Sequence, residues 1–359
     1  SVESNGSIFH LKNGQTRVVK REKPIYVLDR IQIVITLLET LTQKYDSNRL
    51  NIYFDHQCKQ VDFDGKIIKF ENVAATGEIC ANYDLLIGTD GAKSQVREKF
   101  LSQDLFELEQ KYIPYAYKSI FLTTEQAPSL QTGYVHGWRV GNGITVLLVP
   151  LQDGTIGGTI TFPRQNNPME NFSTTENVVK FFEDKFPEIS KFLPLEEAEA
   201  FLNRPTSHVV TIRCSHYHYN DSVLLLGDAA HATSPSLGQG CNSGFEDVVI
   251  VNNLLDEYSD SWAEALPQFT LRRKPDAHAL VELSDNVSPM SGTLLFYEYL
   301  IRLRFGQILH QLFPKSFSKP LFQLALETNV SYSEILNTYH NWIKKVKRSN
   351  QKYMEKIYS

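Results

Sequence analysis

Val223-Leu224-Leu225-Leu226-Gly227-Asp228-Ala229-Ala230-His231-Ala232, followed by Pro235, Gly238-Gln239-Gly240 and Asn242-Ser243-Gly244, is the stretch that decides the fold. Its unbroken apolar run, stopped by Gly-Asp, reads as a buried strand with an abrupt end. At the carboxyl edge of a parallel sheet, the Asp228 carboxylate can accept hydrogen bonds from ligand hydroxyls. The glycine-rich turn then opens a long helix near Asn242. The free N–H groups and positive end of that helix favour negative charge on whatever lies there. A Gly-x-Gly alone would be a connection whose glycines serve geometry; the whole string, with its spacing, points to a ligand.

A second stretch of this kind lies upstream. Asp84-Leu85-Leu86-Ile87-Gly88-Thr89-Asp90-Gly91-Ala92-Lys93-Ser94-Gln95-Val96-Arg97 reads as another buried strand, from Tyr83 to Gly88, entering an Asp-Gly turn. Ser94 is placed to cap the helix that follows. Earlier still, Ile25 to Leu28 reads as a strand and Asp29 as the cap of a helix over about 31–45. Val34, Leu37, Leu38 and Leu41 repeat there at helical spacing. Arg30, just past the strand, could reach a phosphate.

The remaining chain fills in around these segments. A polar hairpin is expected at Asn13-Gly14, and paired strands over 51–76, starting at Asn51-Ile52-Tyr53-Phe54 with a turn at Asp64-Gly65. Four strand-like runs, 115–123, 132–139, 144–150 and 155–162, are separated by Pro, Gly, Asn and Asp, as an antiparallel sheet requires. A helix follows near 177–186, a strand near 209–212, and almost everything after 260 is helical. The fold class is therefore α/β with an α+β insert. A discontinuous domain over 24–104 and 206–285 carries the mixed or parallel sheet. An antiparallel-sheet domain spans 1–23 and 105–205, and a C-terminal helical region 286–359.

Composition narrows the function. The 359 residues suit two domains, and 42% hydrophobic against 21% charged residues exclude a disordered chain. Thirty-six Lys and Arg against 41 Asp and Glu leave a net charge of -5, which gives no reason to expect a nucleic-acid partner. No apolar run reaches transmembrane length. Cys58, Cys80, Cys214 and Cys241 are scattered without a Cys-x-x-Cys pair, which speaks against a disulfide scaffold or zinc site and for a reducing cytoplasm. His216 and His218 share a strand face but have no third ligand beside them, so no metal is expected. His231 reads as structural, and Lys344 to Arg348 as a solvated helix end.

Together, the two strand-turn segments and Arg30 resemble the flavin-dependent aromatic hydroxylases, the p-hydroxybenzoate hydroxylase-like monooxygenases, and within them the kynurenine 3-monooxygenase branch. The likeness extends through Lys111-Tyr112-Ile113-Pro114, Phe181-Phe182-Glu183-Asp184-Lys185-Phe186-Pro187 and Cys214-Ser215-His216-Tyr217-His218-Tyr219. It continues through Gly244-Phe245-Glu246-Asp247 and Arg272-Arg273-Lys274-Pro275-Asp276-Ala277-His278-Ala279. It implies an FAD-binding fold with an antiparallel-sheet substrate domain, and a reaction that uses FAD, NAD(P)H, O2 and a small aromatic substrate. Asp228 would bond the ribityl hydroxyls and Arg30 would contact the cofactor. Gly238, Gln239, Gly240, Cys241 and Asn242 would pass the flavin's pyrimidine edge, and Pro235 the face where oxygen reacts. Asp90 would support FAD and NAD(P)H docking. The resemblance implies that the cofactor itself transfers oxygen, so no catalytic side chain is named.

The chain also departs from that pattern. The family opens with a strand, a Gly-x-Gly-x-x-Gly turn and a helix that hold the FAD pyrophosphate. No such element occurs in these residues, and a βαβ unit occupies about 30 residues or more. The expectation is a fragment, or a product lacking that unit, with FAD held weakly unless a second chain or segment supplies it. Ser7 stands where the family carries an Arg. Asn286-Val287-Ser288-Pro289-Met290 replaces Asn-Tyr-x-Glu-Met, and the polar, basic residues 330–359 give no reason to expect the family's C-terminal membrane anchor in them. Competing readings are a flavin reductase or halogenase of the same superfamily, and a non-catalytic remnant. None of Trp138, Trp262 or Trp342 lies in the Trp-x-Trp-x-Ile-Pro segment of a halogenase.

Overall fold

The computed structural model describes residues 2–11, 13–74, 77–165, 167–290 and 293–358. The chain begins with β1 (Val2–His10), β2 (Thr16–Val27), α1 (Arg30–Lys44), β3 (His56–Asp62), β4 (Ile67–Asn72), β5 (Glu78–Asn82), β6 (Leu86–Gly88) and α2 (Gln95–Phe100). There follow β7 (Leu108–Thr123), β8 (Tyr134–Val140), β9 (Ile144–Pro150), β10 (Thr155–Pro163), α3 (Thr175–Lys185), α4 (Pro187–Ser190) and α5 (Leu195–Asn203). Next come β11 (Ser207–Cys214), β12 (His218–Tyr219), β13 (Val223–Leu225), α6 (Asp228–His231), α7 (Gly240–Glu257) and α8 (Trp262–Asp285). The chain ends in α9 (Leu294–Leu312), α10 (Leu321–Glu327), α11 (Tyr332–Thr338) and α12 (His340–Tyr358).

Two units are formed, one from residues 1–52 with 114–209, the other from 53–113 with 210–359. The first is built on a seven-stranded sheet in the order β11-β7-β10-β9-β8-β1-β2. Its joints from β7 through β8 are antiparallel, as alternation along strands such as β9 requires, whereas β1 joins β8 in parallel. Ile120, Val146, Leu148 and Phe162 pack with Val178, Phe182 and Phe201 from the helices. Helix α1 starts where the sequence indicates, with Asp29 accepting from the Gln32 N–H at 2.8 Å, but it has no buried side chain.

The second unit holds two small sheets, β3-β4-β5 and β12-β13-β6. In the latter β13 is antiparallel to β12 and parallel to β6. Val223, Leu224 and Leu225 are fully buried in a core with Phe100, Leu266 and Phe269. A separate core joins the C-terminal helices, where Leu321, Ile335 and Ile343 meet Leu280, Leu283 and Leu237.

Two expectations need correction. The first strand of the 51–76 region begins at His56, not Asn51, because Asp55 takes a left-handed φ of 57° that breaks the extended run. Ile52, Tyr53 and Phe54 consequently stay exposed. The apolar run 83–88 is a strand only over Leu86–Gly88, and it is not buried throughout: Ile87 is 42% exposed. Among the described residues β6 is an edge strand paired only with β13, so one side has nothing to cover it.

Candidate ligand site at the strand edges

The second unit brings the two glycine-bearing turns together. Parallel pairing sets Val223 opposite Leu86 and Leu225 opposite Gly88. The Leu86 N–H donates to Ser222 C=O at 2.8 Å and the Leu226 N–H to Gly88 C=O at 3.0 Å. Both chains therefore leave the sheet at its carboxyl edge side by side, the position at which such sheets bind ligands. Gly88 is fixed by packing, since a Cβ there would lie 2.9 Å from Cβ of Val96 and 3.0 Å from a methyl of Leu225.

Asp90 is occupied with local structure. Its carboxylate accepts from the N–H groups of Gln95 at 2.7 Å and Val96 at 3.3 Å, and Ser94 Oγ accepts from the Arg97 N–H at 2.9 Å. Arg97, 1% exposed, then ties the turns to each other. One guanidinium nitrogen donates to Ala92 C=O at 2.6 Å, another to Ala229 C=O at 2.8 Å. Two segments 132 residues apart thus share one buried side chain.

The Gly-Asp turn is held from below. Gly227 has φ 58° and ψ -139°, a conformation essentially confined to glycine. Its N–H donates to the buried Asp247 carboxylate at 2.7 Å. The same carboxylate accepts from His231 Nε2 at 2.8 Å and from Arg273 Nε at 2.7 Å. Arg273 also donates to Ser243, at its carbonyl (3.0 Å) and its hydroxyl (2.7 Å). Burial acts to raise the Asp247 pKa, but His231, Arg273 and the Gly227 N–H outweigh it and hold the carboxyl below its ordinary value. For Arg273 burial works the other way, and Asp247 with Glu246 more than offsets it, so the guanidinium stays charged.

With its turn fixed, Asp228 is exposed and makes no side-chain hydrogen bond among the described residues. Beyond it, Pro235 is exposed while Leu237 anchors the short turn in the C-terminal core. Gly238 takes φ 67°, a left-handed turn with open space where a Cβ would point, and Gln239 then precedes α7. The first three N–H groups of that 18-residue helix, on Gly240, Cys241 and Asn242, have no intrahelical acceptor and mark its positive end. Arg30 lies in the other unit, exposed at the first position of α1. Ser7 lies in β1 between β2 and β8, and Asn286 ends α8, its amide donating to Glu282 C=O at 3.1 Å.

Sequence reasoning did not single out Arg97, Asp247 or Arg273 as supports of this site. A signal for Asp247 was available: Ser243, Asp247, Val251 and Leu254 are the buried stripe of α7, and a carboxylate in such a stripe calls for a buried partner. His231, 2% exposed, takes part in the same network through its bond to Asp247.

Solved structures of FAD-dependent hydroxylases carry the same fold. The tetrameric form of 2-methyl-3-hydroxypyridine-5-carboxylic acid oxygenase aligns with a TM-score of 0.65 over 86% of this chain and 76% of that one, at 16% identity. Klebsiella pneumoniae HpxO, complexed with FAD and uric acid, aligns at 0.60 over 87% of this chain and 80% of that one, at 17% identity. Residues 5–284 match the family model described as FAD binding domain, and the chain belongs to that family. Similar curated proteins are kynurenine 3-monooxygenases. That of Caenorhabditis elegans is 30% identical over 82% of this chain and 68% of its own length. That of Flavobacterium johnsoniae is 31% identical over 71% and 57%, and that of Sus scrofa 28% over 86% and 64%. The chain thus spans between 57% and 68% of the length of these relatives.

Proposed function

We propose that the chain is the working part of an FAD- and NAD(P)H-dependent monooxygenase that hydroxylates a small aromatic acid. The observation that carries this reading is the placement of an exposed, unbonded Asp228 at the edge of β13, with the open start of α7 following it. The donor set fits FAD: a carboxylate suits ribityl hydroxyls, and backbone N–H groups at a helix start suit the edge of the ring that gains negative charge on reduction. FAD, when bound and reduced by NAD(P)H, would activate O2, one oxygen atom of which goes to the aromatic ring while the other leaves as water.

The chain's own residues bind and orient. Asp228 accepts from the ribityl hydroxyls, while Asp247 and Arg273 keep its turn rigid from below. Gly238 to Asn242 would hold the pyrimidine edge, where the positive end of α7 would favour negative charge on the reduced ring. Pro235, which is exposed, would lie beside the face where oxygen reacts, and Asp90, which caps α2, would support FAD and the docking of NAD(P)H. Arg30, at the start of α1, is proposed as a cofactor contact on the family resemblance alone. Residues 24–104 and 206–285 serve FAD, residues 1–23 and 105–205 serve the substrate, and 286–359 form a helical cover. Ser7 in place of an Arg, and the altered 286–290 segment, favour an aromatic acid other than kynurenine.

For the FAD pyrophosphate, this reading calls on a Gly-x-Gly-x-x-Gly βαβ unit from another segment or chain. The exposed Ile31, Val34 and Leu37 of α1 support a partner surface in that region. Among the described residues no helix is long and apolar enough to cross a membrane. Four free cysteines support a reducing compartment, and we place the protein in the cytoplasm.

The test is a visible absorption spectrum of the purified chain before and after adding FAD, followed by desalting. Flavin bands that survive desalting support the reading, and NAD(P)H oxidation is then measured with a panel of aromatic acids that includes kynurenine. A chain that never retains FAD, even with the nucleotide-binding unit supplied in trans, refutes it.

A further inference from the structure

Gln239, the residue before α7, is 7% exposed, and its side chain has one orientation dictated by its neighbours. Its Oε1 accepts from Asn242 Nδ2 at 2.9 Å and from the Tyr332 hydroxyl at 3.1 Å. A carboxamide oxygen has two lone pairs, and both are used. The amide is therefore fixed with oxygen inward, and its NH2 group has no acceptor among the described residues. The NH2 group still reaches solvent, so it is free to donate to an acceptor that a bound molecule brings.

Tyr332 is itself held in place. It packs in the C-terminal core beside Leu237 and Ile335. The next residue, Ser333, donates its N–H to Asp276 Oδ1 at 2.8 Å, while Asp276 Oδ2 lies 3.4 Å from Arg273. Burial first, then Glu246 and Asp276, push the Tyr332 phenol up to about 12, so it donates at neutral pH.

We propose that Tyr332 is a positioning residue for the ligand site. With Asn242 it turns the Gln239 carboxamide so that its NH2 group, together with the free N–H groups of α7, faces an acceptor on the bound molecule. The inference rests on the function proposed for the chain, in which that acceptor is the carbonyl-bearing edge of the flavin. It makes the C-terminal helices part of the site: Leu237 fixes the turn by packing, and Tyr332 fixes the donor by a hydrogen bond across 93 residues of sequence. A tyrosine serving only as core would be replaced by Phe without effect on Gln239.

The experiment has two arms. In the cofactor-free chain, ¹H–¹⁵N spectra with labelled glutamine side chains follow the Gln239 NH2 pair, assigned by its loss in Gln239→Leu. Tyr332→Phe is expected to move that pair and speed its hydrogen exchange; an unmoved pair overturns the proposal. In the second arm FAD is titrated by fluorescence quenching. Tyr332→Phe should weaken binding about three- to tenfold, the scale of one hydrogen bond, with no further loss when combined with Gln239→Leu. Equal losses in both backgrounds indicate packing alone and overturn the proposal. If Tyr332→Phe does not fold, Asn242→Ala removes the other donor and is expected to move the same NH2 pair. If Tyr332→Phe moves the NH2 pair but the wild-type chain takes no FAD, the flavin reading is refuted and the positioning of Gln239 stands.

Discussion

Replacing Asp247 with Asn tests the support of the site most directly. The carboxylate accepts three hydrogen bonds at 2.7–2.8 Å, two on Oδ2 from Gly227 and His231 and one on Oδ1 from Arg273. Asn has one acceptor oxygen. Whichever way its amide turns, an NH2 group faces a donor, either the Arg273 Nε–H or the pair on Gly227 and His231. Arg273 retains Glu246 at 2.7 Å, Asp276 at 3.4 Å and Ser243, which softens the loss. A lost charge-assisted hydrogen bond is worth about 1.5–3 kcal/mol, and breaking a buried ion pair about 3–5 kcal/mol. The expected cost is therefore about 3 kcal/mol, read from urea unfolding followed by tryptophan fluorescence, with FAD binding weakened about tenfold because the Asp228 turn loosens. The effect depends on pH in a fixed direction. Asp247 is held below the ordinary carboxylate value of about 3.9, so its contribution is complete at neutral pH and fades as the pH falls below about 4. The gap between wild type and Asp247→Asn should narrow in acid. A cost below about 1 kcal/mol at pH 7 would refute the network as the support of the turn.

Other residues give contrasting outcomes. Asp228→Ala removes an exposed, unbonded carboxylate, so stability should stay within about 0.5 kcal/mol of wild type while the FAD dissociation constant rises at least about tenfold, measured by fluorescence titration. Tyr217→Phe deletes a fully buried hydroxyl that has no partner among the described residues, and thermal unfolding should show unchanged or slightly raised stability; a loss above about 1 kcal/mol would reveal a bond there. Burial lowers the pKa of His136, His218 and His278 in the folded chain. The unfolded chain then binds more protons just below the ordinary histidine value of about 6.5, so the melting temperature should fall between pH 7.5 and 5.5, and a flat profile would contradict it.

Much of this protein was legible because its informative segments are local. The strand Val223–Leu225, the Gly227 turn, the Ser94 and Asp29 caps and the four runs from 115 to 162 each express periodicity or turn chemistry within a few residues. The Asp55 break and the short, half-open β6 were not legible, since apolar residues at 52–54 and 83–87 look the same whether or not a neighbour pairs with them. The candidate site divides in the same way. Asp228, Gly238 and Gly240 could be named from spacing, because a strand followed by a glycine-rich helix start carries its own geometry. That Asp90 is used as a cap, that Arg97 bridges both turns, and that Asp247, Arg273 and Tyr332 stand behind Gly227 and Gln239 emerged only from the packed chain. The sequence by itself determined most of the elements and the segments that carry the candidate site, through side-chain period and backbone preference. The tertiary structure decided which polar groups are already satisfied and which remain free for a ligand, because hydrogen bonds between residues 20 to 132 positions apart exist only once the core has closed.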